Sequence, residues 1–265
     1  MRNHILHECI VPKKLGMLFS SETIDGLVHQ LGGLRLRAEC SLIPTHQYAH
    51  AYINQQQKQN GLEVTNEKER GVKCPVGTAA MTSSGGDDLQ KHYDTIIHTT
   101  PPFYNYPPSI STELKEVLGI DVDISNDDTH SWSKELLGSC YRQSFKLAFD
   151  NTTHNLSSTN GNLNGILHNT WMRLFGLDKS TKEAKNIRIR RVAVPLLGAG
   201  CRAFPKEIAL EVAATESASW LSDKSQSSEE EVIEDKNKDG TDAVVFGLLE
   251  KEDAHKLSDM IEKLY

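Results

Sequence analysis

The chain has 265 residues, 38% hydrophobic and 25% charged, with a net charge of −7, so it lacks the basic footprint of a general nucleic-acid binder. Its five cysteines are scattered and form no CxxC pair, which excludes a disulfide framework or a zinc knuckle and fits a reducing compartment, cytoplasmic or nuclear. The opening MRNHILHECIV has no apolar signal core and no apolar run approaches membrane-spanning length, so neither secretion nor a membrane partner is expected.

Residues 8–11 read as a short strand. Ser21 or Thr23 then caps a helix predicted over 24–40, with Ile24, Leu27, Val28 and Leu31 at helical spacing. Asp25 falls in its first turn, where a carboxylate complements the helix dipole. Residues 41–73 are polar and glutamine-rich and read as a loop or frayed helix. His46 and His50 stand four apart there, but with no third ligand nearby no metal site is predicted.

Residues 74–82 read as a turn followed by a strand, and residues 93–99 as a second strand closed by Pro101 and Pro102. His98, at that strand's end, is a candidate base, although a lone histidine there is more often a packed, hydrogen-bonded residue. Residues 103–131 carry prolines and an acidic cluster, DVDISNDD, which lacks the glycine and closing glutamate of a calcium loop. An amphipathic helix is predicted over 132–149, with Leu136, Leu137, Cys140, Tyr141, Phe145 and Ala148 on one face. Residues 151–164 are rich in Asn, Ser and Thr and read as a mobile or disordered loop. Their glycosylation sequons carry no weight without a secretion route.

Residues 191–197 form a short run rich in β-branched residues, and residues 205–221 have helical spacing. Between them lie Gly198, Ala199, Gly200, Cys201, Arg202, Ala203 and Phe204. A strand feeding a helix through small residues lets backbone amides turn toward an anion, and the helix end adds unpaired N–H groups. The same residues also serve a tight strand-to-helix connection with no ligand. An acidic run follows over 222–242. Its DKNKDG begins like a calcium-binding loop but places Phe246 where the bidentate glutamate belongs. The last strand is predicted over 243–249 and the last helix over 253–264. This alternation predicts a three-layer α/β fold with helices on both sides of a mixed sheet. The whole chain, 1–265, is expected to be one domain, with insertions at 41–73, 104–131, 151–187 and 222–242.

Four segments together resemble a macro domain, the ADP-ribose-binding module. Cys74-Pro75-Val76-Gly77-Thr78-Ala79 with Thr82 is similar to the family's CPTGEA…T, and Tyr93–His98 to its strand ending IIH. Leu136–Arg142, reading LLGSCYR, is similar to its LLRSCYR helix, and residues 195–205 to its second phosphate loop. The resemblance implies a macro-domain-like α-β-α fold, ADP-ribose or an ADP-ribosylated protein as ligand, and neither metal nor cofactor. It makes Gly198, Ala199, Gly200, Cys201, Arg202 and Ala203 the donors to phosphate and Phe204 the flank of the distal ribose.

Laid on the family's first phosphate loop, the sequence departs from it. Pro12, Lys13, Lys14 and Leu15 fall on the NAAN positions, so Leu15 replaces the asparagine of catalytic members. Asp25 remains where hydrolytic members keep the aspartate that orients water. The family's first strand, with its adenine-binding aspartate, has no counterpart before Glu8, and Leu249 stands where an aromatic often stacks on the nucleoside. Lys13 and Lys14 could offset lost amides by charge, with less geometric specificity. Three readings follow: a binding module for ADP-ribose or a related nucleotide diphosphate, a hydrolase acting on ADP-ribosyl or O-acetyl-ADP-ribose esters through Asp25, and an interaction scaffold that has lost the ligand.

Overall fold

The computed structural model describes residues 3–8, 24–43, 73–105, 112–120, 129–149, 191–230 and 242–265. The strands are β1 (Asn3–Glu8), β2 (Ala79–Ser83), β3 (Thr95–Thr99), β4 (Arg191–Pro195) and β5 (Ala243–Gly247). The helices are α1 (Ile24–Leu42), α2 (Asp87–Gln90), α3 (Thr112–Leu118), α4 (Thr129–Phe149), α5 (Lys206–Glu230) and α6 (Lys251–Leu264). One sheet runs in the order β2-β3-β1-β4-β5, with β2 antiparallel to β3 and every other neighbouring pair parallel.

The first strand corrects the sequence reading. It lies at Asn3–Glu8, ahead of the predicted 8–11, whose last three residues are outside the described ones, and it is the middle strand, pairing Ile5 with both Ile96 and Ala193. A middle parallel strand ordinarily announces itself as an apolar run. NHILHE has only Ile5 and Leu6 side by side, so its signal is weak.

Side chains alternate across a strand, and β3 shows how the layers divide. Ile97 joins Val192 and Val194 in the larger core, which α4, α5 and α6 complete through Tyr141, Phe145, Leu210, Ala213 and Leu257. Ile96 faces the other way and packs with Val28 and Leu36 of α1 and Leu89 of α2. The fold is therefore a three-layer α/β sandwich around a mixed sheet.

In α4 every apolar position predicted from spacing is buried, and the helix begins at Thr129 instead of 132. The stretch read as a loop over 104–131 contains α3, whose Leu114 and Leu118 pack with Ile120, Trp132 and Leu136. Gly119 ends that helix at φ 66°, and the Ile120 amide reaches back to the Lys115 carbonyl at 3.0 Å. This is the left-handed closure that glycine permits. Helix α5 continues to Glu230, into the acidic run, instead of ending at 221.

Helix α1 departs most from expectation. It breaks at Gly33 (φ 61°, ψ −154°), and the Gly32 carbonyl accepts a hydrogen bond from the Gly86 amide at 2.8 Å. Val28 and Leu36 are buried, but Ile24, Leu27 and Leu31 of the predicted apolar stripe are exposed. Ahead of the break the helix turns its Asp25, Val28 and Gly32 side inward, so most of the predicted stripe lies on the outer side. His46, His50, the glycosylation sequons and both calcium-like motifs lie outside the described residues. Among those that are described, no helix is long and apolar enough to cross a membrane.

Candidate anion-binding site

Strands β1, β3 and β4 run parallel, so the segments that leave β3 and β4 emerge at the same edge of the sheet. After β4 the chain passes through Leu197, fully buried, whose amide donates to the Tyr141 hydroxyl at 3.0 Å. Gly198 follows at φ 81°. A Cβ there would stand 2.9 Å from Phe204 Cδ2, so both the dihedral and the space require glycine.

The loop then closes on itself. The Ala203 amide donates to the Gly200 carbonyl at 3.0 Å and the Phe204 amide to the Gly198 carbonyl at 3.1 Å, with Ala203 held at φ 60°. Helix α5 starts directly afterward, the Ala209 amide reaching the Pro205 carbonyl at 3.0 Å. Two expectations need correction. The amides of Ala203 and Phe204 are spent within the loop and are not offered to a ligand. Phe204 is buried beneath the loop with its ring against Gly198, so it supports the turn from below. The amides of Gly198, Ala199 and Gly200 donate no hydrogen bond to any described residue. Gly200, Cys201 and Ala203 form the exposed crest.

Arg202 is only 3% exposed. Its guanidinium carbon lies 4.6 Å above the Phe103 ring, and its carbonyl accepts the Tyr104 amide at 3.0 Å. Tyr104 stacks on His130 with centroids 4.3 Å apart and tilts against Phe204 at 5.1 Å. The segment leaving β3 is thus bound to the loop leaving β4. Phe103, Tyr104 and His130 were not singled out from the sequence. Their visible signal was an aromatic pair directly after Pro101 and Pro102.

The Cys74–Ala79 segment braces this region. Gly77, also at φ 81°, donates its amide to the Thr100 carbonyl at 3.1 Å and accepts the Ser139 hydroxyl at 2.9 Å. Thr100 Oγ1 donates to the Cys74 carbonyl at 3.0 Å, and Thr99 Oγ1 to the Thr78 carbonyl at 2.7 Å.

Asp25 is buried at the start of α1, with His29 Nε2 at 3.5 Å from Oδ1. Burial, and then the charge of Arg37, lower the His29 pKa, which favours neutral imidazole beside the carboxylate. Farther along α1, Cys40 Sγ is 3.8 Å from His98 Nε2, which also meets Thr82 Oγ1 at 2.7 Å. Burial, then Glu39 and Asp25, push the Cys40 thiol up to about 12, so it stays protonated at neutral pH. His98 is fully buried and hydrogen-bonded, which matches the packed reading of that residue. Leu15 and the rest of the first-loop counterpart lie outside the described residues, and Leu249, after β5, is fully exposed. Among the described residues no group of three His, Cys, Asp or Glu is placed to hold a metal ion.

The fold and this edge define an α/β protein with a glycine-shaped loop suited to an anion. No protein-family model matches the chain, and neither does any curated protein. Solved structures do resemble it. A point mutant of the Oceanobacillus iheyensis macrodomain with ADPR is 15% identical, covering 99% of this chain and 86% of its own, with a TM-score of 0.47. A Trypanosoma brucei macrodomain in complex with ADP is 14% identical, covering 98% of this chain and 62% of its own, with a TM-score of 0.45. The macro domain of ganglioside induced differentiation associated protein 2 is 15% identical, covering 82% of this chain and 67% of its own, with a TM-score of 0.35. The chain is thus similar to macrodomain structures over nearly all of its length.

Proposed function

We propose that this chain is a divergent macro domain that binds ADP-ribose or a related nucleotide diphosphate, free or attached to a protein, at the loop from Gly198 to Phe204. The observation that carries the reading is the row of amides at Gly198, Ala199 and Gly200, which have no described hydrogen-bond acceptor, beside an exposed crest and ahead of α5. An anion supplies the missing acceptors, and the dipole of the following helix favours negative charge. The four motifs that resemble the macro domain support the same ligand. They meet in space: Ser139 donates to the Gly77 carbonyl, the Leu197 amide donates to Tyr141, and Cys74 Sγ lies 3.5 Å from the His98 carbonyl.

Binding is expected to be weak, in the micromolar to millimolar range. Pro12 to Leu15 replace the residues that complete the family's diphosphate site, and larger side chains there obstruct the approach of backbone amides to phosphate. Calorimetric titration of the whole chain with ADP-ribose, with AMP as control, tests the proposal. Heat with ADP-ribose and little with AMP supports it. No heat at millimolar ligand overturns it in favour of the scaffold reading.

A second reading is favoured by one observation, the buried Asp25–His29 pair. A neutral imidazole beside Asp25 suits a carboxylate that orients water, and so hydrolysis of ADP-ribosyl or O-acetyl-ADP-ribose esters. Leu15 weakens this reading because substrate positioning supplies much of the rate in such sites. Any hydrolase rate should vanish in Asp25→Ala, and a rate that survives removes Asp25 from the mechanism.

A further inference from the structure

One turn of α4 touches both loops at the carboxyl edge. Gly77 and Gly198 are each at φ 81°, and a Cβ added to Gly77 would meet Leu136 and the Ser139 hydroxyl, while one added to Gly198 would meet Leu137. Two polar side chains on this otherwise apolar turn reach the loops directly. Ser139 donates to the Gly77 carbonyl at 2.9 Å, and Tyr141 accepts from the Leu197 amide at 3.0 Å. Both residues are fully buried. Water therefore cannot replace either bond, and a buried amide left without an acceptor carries its full desolvation cost.

We infer that Tyr141 is a positioning residue for the anion loop, acting through the Leu197 amide to fix the direction of the amides that follow. The inference rests on the proposed ligand reading and adds to it the residue that sets the loop's geometry. The phenol lies within the aromatic core, 6.1 Å from the Phe145 ring and 6.3 Å from the Phe246 ring, so its oxygen has one fixed position from which to hold the strand exit. Leu197 is the last residue before Gly198. A small rotation of its peptide plane would be carried into the amides of Gly198, Ala199 and Gly200, which hold no other partner among the described residues.

Tyr141→Phe keeps the ring and deletes the hydroxyl that accepts the Leu197 amide. It should weaken ADP-ribose binding about five- to tenfold and speed amide hydrogen exchange over Leu197–Gly200 by about fivefold or more, the response expected when a buried donor loses its partner. Phe145→Leu, which trims the same core without touching the loop, serves as the comparison. It should lower the melting temperature and leave both loop readouts within about twofold. The two readouts separate the claims. If the wild-type chain gives no heat with ADP-ribose, the ligand reading fails, while exchange over Leu197–Gly200 still tests Tyr141. Unchanged exchange in Tyr141→Phe, or an equal acceleration in Phe145→Leu, overturns the positioning role even where ADP-ribose binds.

Discussion

The Gly198–Phe204 loop rests on a packed floor, with Leu197, Phe204 and Tyr141 buried together. Helix α1, on the opposite face, turns Ile24, Leu27 and Leu31 outward and breaks at Gly33. The first region is held from within by aromatic packing and by internal hydrogen bonds that hold both Gly198 and Ala203 at positive φ. The second has a smaller apolar floor, Val28 and Leu36 against Ile96 and Leu89, supplemented by polar ties such as the Ser83 amide donating to Glu39 Oε2 at 2.8 Å. A loop fixed by its floor is pre-formed and gives its ligand a low ordering cost. A helix with so small an apolar contact leans more on each tie it has.

The largest expected effect comes from Gly200→Glu. Nothing lies within 4 Å of a Cβ at this exposed position, so the fold should be unaffected. A carboxylate facing the anion site should reduce ADP-ribose affinity by about a hundredfold or more. Calorimetry together with a melting curve checks both halves, and unchanged affinity would falsify the site. Gly198→Val should cost both properties, because its φ of 81° and the 2.9 Å approach to Phe204 leave no room for a side chain. We expect a stability loss of about 2–3 kcal/mol in urea denaturation, together with loss of binding.

Gly33→Ala separates the two regions. Its φ of 61° with ψ −154° is glycine territory, yet no atom crowds a Cβ there. A cost of about 1–2 kcal/mol in stability is expected, with ADP-ribose affinity unchanged. Should affinity fall in step with stability, the two regions are coupled and the comparison above breaks down. The smallest effect is chemical. Cys201 is exposed on the crest, whereas the Cys40 thiol is pushed up to about 12 and burial also raises that of Cys74. Alkylation at pH 8 followed by mass spectrometry should modify Cys201 ahead of those two, and ADP-ribose should protect it.

Much of this architecture could be read in the residues. The strand-loop-helix at 191–221 and the apolar face of α4 followed from spacing, because both stretches carry the apolar pattern their surroundings demand, although α4 also buries Trp132, Ser133, Ser139, Ser144 and Phe149. The first strand was misplaced because His4 and His7 dilute its apolar content. Helix α3 was passed over because prolines and acids flank it, although TELKEVLG with its terminal glycine has the form of a short capped helix. The Gly32-Gly33 pair did signal a break in α1, but apolar spacing on both sides masked it. For the candidate site, the sequence pointed to the loop and to Asp25. It could not tell which amides the loop spends on itself or that Phe204 would lie beneath it, since both depend on how the chain turns at Gly198 and Ala203. Ser139 and Tyr141 were visible as polar residues on an apolar face, but their partners come from distant segments.

Lys73 donates from its ammonium group to the Ser41 carbonyl at 2.5 Å and to the Ile43 carbonyl at 2.9 Å. The chain therefore leaves α1 and returns toward β2 at one point, fastened by a single side chain. The entropy of closing a loop grows only logarithmically with its length, each doubling costing about 0.6 kcal/mol. With Ile43 and Lys73 already joined, a longer connection between them should cost the sheet little, which makes this junction a place to graft a reporter or a second binding unit.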